Sequence, residues 1–107
     1  MDKMLYLTML YDFYGELLTD KQKFFFETYY HNDMSLREIA EVNNVTPQAV
    51  SDIVKRVEKI ITNYEKKLKL VDKFNNQKLK LTQIYNALDK YENIDNIKKM
   101  IEELIDW

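Results

Sequence analysis

Three helix-start signals stand in the first half of the chain. The spacing of the last two, Ser35 and Thr46, constrains the fold more than any other feature. Thr19 with Gln22, and Ser35 with Glu38, each form a capping-box pattern, in which the hydroxyl accepts from the third backbone N–H and the longer side chain reaches back. Thr46 precedes Pro47, an N-cap with proline at the first helical position, where its missing N–H costs nothing. Between Ser35 and Thr46 there is room for about two and a half turns of helix and a tight connection. Leu36, Ile39 and Ala40 face one way, and Ala40 is small where a second helix must cross closely. Asn44 falls at the turn, and Asn tolerates the left-handed conformation better than other non-glycine residues. Val45 is expected to plug the turn, with Val50, Ile53 or Val54, and Val57 returning the next helix to the core. A short helix, a tight turn and a second helix with small and polar outer residues make the helix-turn-helix pattern.

The rest of the chain also reads as helix. One Gly and one Pro in 107 residues leave few breaking points, and strands joined by tight turns need more of both. A first helix is expected over about residues 2–17, with Met4, Leu7, Leu10, Tyr14 and Leu17 at helical spacing and Gly15 marking its end. The aromatic run "FFFETYY" from Phe24 to Tyr30 covers nearly every side of its helix, which is the pattern of a core element. Nothing between Pro47 and Val71 breaks a helix, so one continuous element roughly 36 Å long is expected there. Along it Val50, Val54, Val57, Ile61, Tyr64, Leu68 and Val71 form an apolar heptad seam. Two further amphipathic helices follow, one with Leu79, Leu81, Ile84, Tyr85, Leu88 and Tyr91. The other carries Ile94, Ile97, Met100, Ile101, Leu104 and Ile105, with a break near "ENID". The expected fold is therefore all-α, a single domain over 1–107: a helix-turn-helix core at 19–59, then a long-helix continuation and C-terminal helices at 60–107.

Charge and composition narrow the function. The chain carries a net charge of -2, yet that balance hides an asymmetry. Residues 1–34 hold three basic and six acidic side chains, whereas Lys55 to Lys80 hold nine basic against three acidic. A local basic surplus on an acidic chain suits a phosphate backbone, although charge runs are more often solvated helix faces. The absence of Cys removes disulfides and thiolate chemistry and fits a reducing, cytoplasmic setting. No apolar run is long enough to span a membrane, and the N-terminal "MDKMLYLTMLYDFYGE" lacks the signal-peptide pattern. One His, one Gly and no phosphate loop leave no metal, cofactor or nucleotide motif, so neither an enzyme nor a cofactor is expected. His31 reads as a surface residue at a helix end, and Trp107 as either an apolar anchor or a tail.

The stretches "LTDKQ", "SLREIA" and "VTPQAVSDIVKR" resemble the promoter-reading region 4 of bacterial sigma factors. More closely, "MLYDFYGELLTDKQ", "ETYYHNDMSLREIAE" and "VEKIITNYEKKLKL" are similar to the YlxM-like family of small bacterial helix-turn-helix proteins, over about residues 5–71. That resemblance implies a regulatory protein associated with the signal recognition particle pathway. The particle's RNA and its GTPases then become expected partners. One position departs from the motif: Asn43 stands where a bulky apolar side chain is usual, and Val42 is expected to rotate in for it.

The candidate contact face follows from a helix beginning at Thr46. Thr46, Gln48, Ala49, Ser51, Asp52, Lys55, Arg56 and Lys59 form the nucleic-acid-binding set. Gln can bond adenine bidentately, Ser and Thr can serve bases or phosphates, and Lys55 and Arg56 can reach phosphates. Asp52 opposes phosphate unless it accepts from cytosine or pairs with Arg56 at i+4. The lower seam, Val57, Ile61, Tyr64, Leu68 and Val71, is the expected dimer or partner surface, and a homodimer is expected to strengthen a weak reading face. Two functions follow: a nucleic-acid-binding regulator using DNA or signal recognition particle RNA, or a protein-interaction module on the same scaffold.

Overall fold

The computed structural model describes residues 2–90 and 93–105; Tyr91, Asp106 and Trp107 lie outside the described residues. Among these there are six α-helices and no strand: α1 (Lys3–Tyr14), α2 (Asp20–Tyr30), α3 (Leu36–Asn43), α4 (Pro47–Leu68), α5 (Leu70–Asp89) and α6 (Ile94–Ile105). The chain divides into two compact units, residues 1–69 and 70–107. That division falls at Lys69, ten residues beyond the end of the expected 19–59 core.

All three start signals fold as read. Thr19 accepts from the Gln22 N–H and Ser35 from the Glu38 N–H, each with the reciprocal side-chain bond of a capping box. Thr46 accepts from the Ala49 N–H at 3.1 Å, with Pro47 opening α4. The turn between α3 and α4 rests on Asn44, whose φ of 56° and ψ of 42° are left-handed. Its N–H, and that of Val45, both reach the Ala40 carbonyl, closing the helix end in the Schellman manner. Ile39, Ala40, Val50 and Val54 bury against Phe25 in the cluster that locks the two helices together. Ile53 is half-buried beside them, so Val54 takes the inward position.

Several local readings are corrected. The first helix ends at Tyr14, and Gly15–Leu17 forms a single 3-10 turn. Met4 and Leu17 are exposed, while Tyr11 and Leu18 join Leu7, Leu10 and Tyr14 in the core. At Gly15 the backbone passes close to Tyr11, since a Cβ there would stand 3.2 Å from that ring and push it by a few tenths of an ångström. Val45 is exposed and does not plug the turn, and Val42, at 73% exposure, does not rotate inward. Asn43 is half-buried, and its side-chain amide donates to the Ile39 carbonyl of its own helix at 2.8 Å. Of the aromatic run, Phe25 and Phe26 are buried and Tyr29 and Tyr30 half-buried, but Phe24 is exposed.

The long element stops short of Val71. Lys69 adopts a left-handed φ of 55° and its N–H bonds to the Glu65 carbonyl, which ends α4. Within the first unit the seam is filled by the chain itself. Val50, Val54, Val57 and Ile61 are buried, with α1, α2 and α3 all packed against α4. Val57 and Ile61, expected as a partner seam, are each 0% exposed and out of a second copy's reach. Tyr64 is half-buried and stacks on Tyr14 at 5.8 Å, Val71 is buried, and Leu68 is the exposed member of that set.

Three tyrosine hydroxyls fasten the first unit. Tyr11 donates to Glu27 (2.5 Å), joining α1 to α2, and Tyr14 donates to Glu65 (2.5 Å), joining α1 to α4. Tyr30 donates to Glu58 (2.7 Å), joining α2 to α4. Charge-assisted bonds of this kind are among the stronger ones available to a small core. The second unit is an antiparallel-ordered pair of helices with a small core of Ile84, Ala87 and Ile97, flanked by Met100 and Leu104. Lys80 and Glu103 pair across it, and that hydrogen bond holds the Glu103 carboxyl below its usual range.

Candidate nucleic-acid interface

Burial of Val50, Val54 and Val57 turns the opposite side of α4 to solvent. On that side the expected residues separate into two neighbouring i, i+4 rows. Gln48, Asp52 and Arg56 form one, and Ser51, Lys55 and Lys59 the other. All are exposed except Ser51, which is half-buried, and Ala49 beside them is also half-buried. Thr46 is exposed, but its hydroxyl oxygen is engaged in capping α4, so its first role is structural.

Asp52 has a different partner from the one expected. Its carboxylate accepts from Gln48 Nε2 at 2.9 Å, and no ion pair joins it to Arg56. Two consequences follow for base reading. The Gln48 amide is held in one orientation, with its carbonyl oxygen and second N–H still available for an adenine edge. Arg56 keeps its guanidinium for phosphate or guanine.

The two flanks of α4 open into clefts of different character. On one flank Ala49, Asp52, Ile53 and Arg56 face Thr19, Lys21 and Gln22 at the start of α2, around about 440 Å³. On the other, Ser51, Lys55, Glu58, Lys59, Thr62, Asn63 and Lys66 face Lys3 and Leu7 of α1 and Tyr29 and Tyr30 of α2, in two clefts of about 350 and 600 Å³. Burial first, and then the Glu58 carboxylate, push the Tyr30 hydroxyl well above its ordinary range, so it stays a donor there.

Lys3, Lys21, Thr62, Asn63 and Lys66 were not read as interface residues. Lys66 had a signal, since it lies seven residues from Lys59 on the same face. Lys3 and Lys21 had none, because only tertiary packing brings them beside α4. Within the first unit the basic run from Lys55 is split between two flanks. Lys55, Lys59 and Lys66 share a flank, Arg56 lines the other, and Lys73, Lys78 and Lys80 belong to the second unit. His31 is exposed at the end of α2, its ring edge-on to Tyr11. Among the described residues no cluster of three or more His, Asp or Glu is placed to hold a metal ion, and no helix is long and apolar enough to cross a membrane.

Comparison with known proteins matches this architecture. Residues 1–104 match the UPF0122 family model, described as "Putative helix-turn-helix protein, YlxM / p13 like". A UPF0122 protein of Desulforamulus reducens is 52% identical over 87 residues, 81% of this chain and 74% of that one. One from Clostridium acetobutylicum is 44% identical over 108 residues, covering 97% and 92% of the two chains. Another from Halalkalibacterium halodurans is 41% identical, with 97% and 95% covered. With capped helices, left-handed turn and polar outer face in place, the chain belongs to the UPF0122 family of YlxM / p13-like helix-turn-helix proteins.

Proposed function

We propose that this protein is a nucleic-acid-binding regulator that presents the outer face of α4 to a duplex groove. The observation that carries the reading is the Gln48–Asp52 bond. It ties the Gln48 amide to Asp52 on the exposed face of α4, beside three exposed cations, Lys55, Arg56 and Lys59. Gln48 and Arg56 make base contacts, and Ser51, Lys55 and Lys59 make backbone contacts. The likeness to the YlxM family adds the RNA of the signal recognition particle as ligand and its GTPases as protein partners, in the cytoplasm. A fluorescence-anisotropy titration of that RNA, and of random-sequence duplex DNA, across a salt series tests the proposal. Binding should weaken steeply with salt and be lost in the Lys55→Glu/Arg56→Glu protein. Unchanged binding by that protein would remove α4 as the contact face.

A second reading, self-association, is favoured by the second unit. Its core cluster is small, while Leu79, Leu81, Tyr85 and Leu88 on α5 and Ile94 and Ile105 on α6 are more than half exposed. Two helices with so little interior are marginal alone, and a second copy would cover these side chains. A monomeric mass at tens of micromolar protein, by sedimentation equilibrium, would end this reading.

A further inference from the structure

The second flank of α4 is the more basic one, and its lining extends past the 19–59 helix-turn-helix core at both ends, to Lys3 and Lys66. Its two clefts adjoin, with Lys3, Lys55 and Glu58 common to both, and together they make one grooved flank. Four lysines line it, Lys3 from α1 and Lys55, Lys59 and Lys66 from α4, against the single carboxylate of Glu58. One oxygen of that carboxylate is occupied by the Tyr30 hydroxyl, which donates to it at 2.7 Å, and four lysines against one carboxylate leave a basic surplus. Among the described residues none of the four lysines is in an ion pair, whereas Lys23 pairs with Glu16 and Lys80 with Glu103. The other flank, by contrast, sets Lys21 and Arg56 against Asp52. Uncompensated like charge lining a concavity raises the local concentration of anions.

Geometry selects the kind of anion. Lys66 lies eleven residues beyond Lys55 on one helix with Lys59 between them, about 16 Å of axis. One duplex strand presents a phosphate about every 3.4 Å of its axis, so several phosphates fit that span. Asn63 supplies an uncharged hydrogen-bonding group between the lysines, whereas the Thr62 hydroxyl donates to the Glu58 carbonyl at 2.6 Å. A small anion would occupy only one end of such a row.

We propose that the Lys3–Lys55–Lys59–Lys66 groove binds the phosphodiester backbone of one strand of the duplex whose bases meet Gln48 and Arg56. The proposal rests on the nucleic-acid reading above and extends it: residues before and beyond the helix-turn-helix, Lys3 and Lys66, set affinity without reading sequence.

The test is the salt dependence of binding to random-sequence duplex DNA by the full chain and its Lys3→Gln/Lys66→Gln variant. Both side chains are exposed and unpaired, so the variant should fold, as circular dichroism would verify. Each lost phosphate contact should flatten the slope of log affinity against log salt by about one, so a flattening of about two is expected. Lys3→Arg/Lys66→Arg should restore the slope, and Lys90→Gln/Lys98→Gln in the second unit should leave it unaltered. Equal flattening by the Lys90/Lys98 pair would reduce the effect to net charge and overturn the groove. An unchanged slope for Lys3→Gln/Lys66→Gln would also overturn it, while loss of binding in the Lys55→Glu/Arg56→Glu protein would keep α4 as the contact face. Duplex binding by neither the wild type nor any variant at low salt would remove both proposals. Flattening with single-stranded RNA alone would replace the duplex strand by another ligand and overturn the assignment.

Discussion

Phe26 and Leu81 are both large apolar residues on helices, yet Phe26 is 0% exposed and Leu81 is 56% exposed. They stand for the two halves of the molecule. In residues 1–69 helix starts, apolar spacing and polar fastening agree, and the seam of α4 is filled from within. In residues 70–107 the helices form, but their apolar side chains outnumber the places where the unit can bury them. Amphipathic pattern specifies a helix; only complementary surface specifies what that helix packs against.

The sharpest way to press this contrast is truncation of a core side chain. Phe26→Ala, in the stack between Tyr11 and Tyr30, should cost about 3–5 kcal/mol in urea denaturation. Next, Tyr14→Phe should cost about 1–3 kcal/mol, because Glu65 is only 8% exposed and would lose a hydrogen-bond donor. Asn44→Ala, which forces a left-handed backbone on an ordinary side chain, should cost about 1 kcal/mol. Asn44→Gly should be neutral or slightly stabilising at that φ.

A pH dependence separates the fastened unit in another way. Tyr11 and Tyr30 are held above their ordinary range, mainly by burial and then by Glu27 and Glu58. Unfolded tyrosines ionise near about pH 10 while these two keep their protons, so the unfolded state binds fewer protons there. The contribution of these two tyrosines to stability is therefore constant below that pH and falls as pH rises past it. Tyr30→Phe should make the alkaline fall shallower in thermal melts at stepped pH. The smallest effect belongs to Leu81→Ala, expected within about 0.5 kcal/mol for an exposed site. A cost comparable to Phe26→Ala would show that this face is covered in solution, which would favour the second copy.

What could be read from sequence was local. Thr19, Ser35 and Thr46 each act on a backbone N–H three residues away, so their patterns are complete within a few letters. Asn44 was legible for the same reason. The tyrosine bonds were not, since their partners lie 16, 28 and 51 residues away and tyrosine counts as apolar in a periodicity. Lys69 carries no signature of a helix end, because lysine in the left-handed region is uncommon, and so α4 reads as running on to Val71. Val42 and Asn43 misled through a rule about apolar packing: Val42 stays exposed, and Asn43 bonds to the Ile39 carbonyl of its own helix. Of the contact face, the outward rows of α4 followed from helical spacing. Lys3 and Lys21 depended on how α1 and α2 pack.

The central claim is that nucleic acid meets the first unit along α4. Amide chemical-shift mapping of the isotope-labelled full chain, titrated with duplex DNA and with signal recognition particle RNA, tests it most directly. The largest shifts should fall on Gln48, Ser51, Asp52, Lys55 and Arg56, extending to Lys3 and Lys66. Shifts confined to residues 70–105, or none with either ligand at low salt, would contradict it.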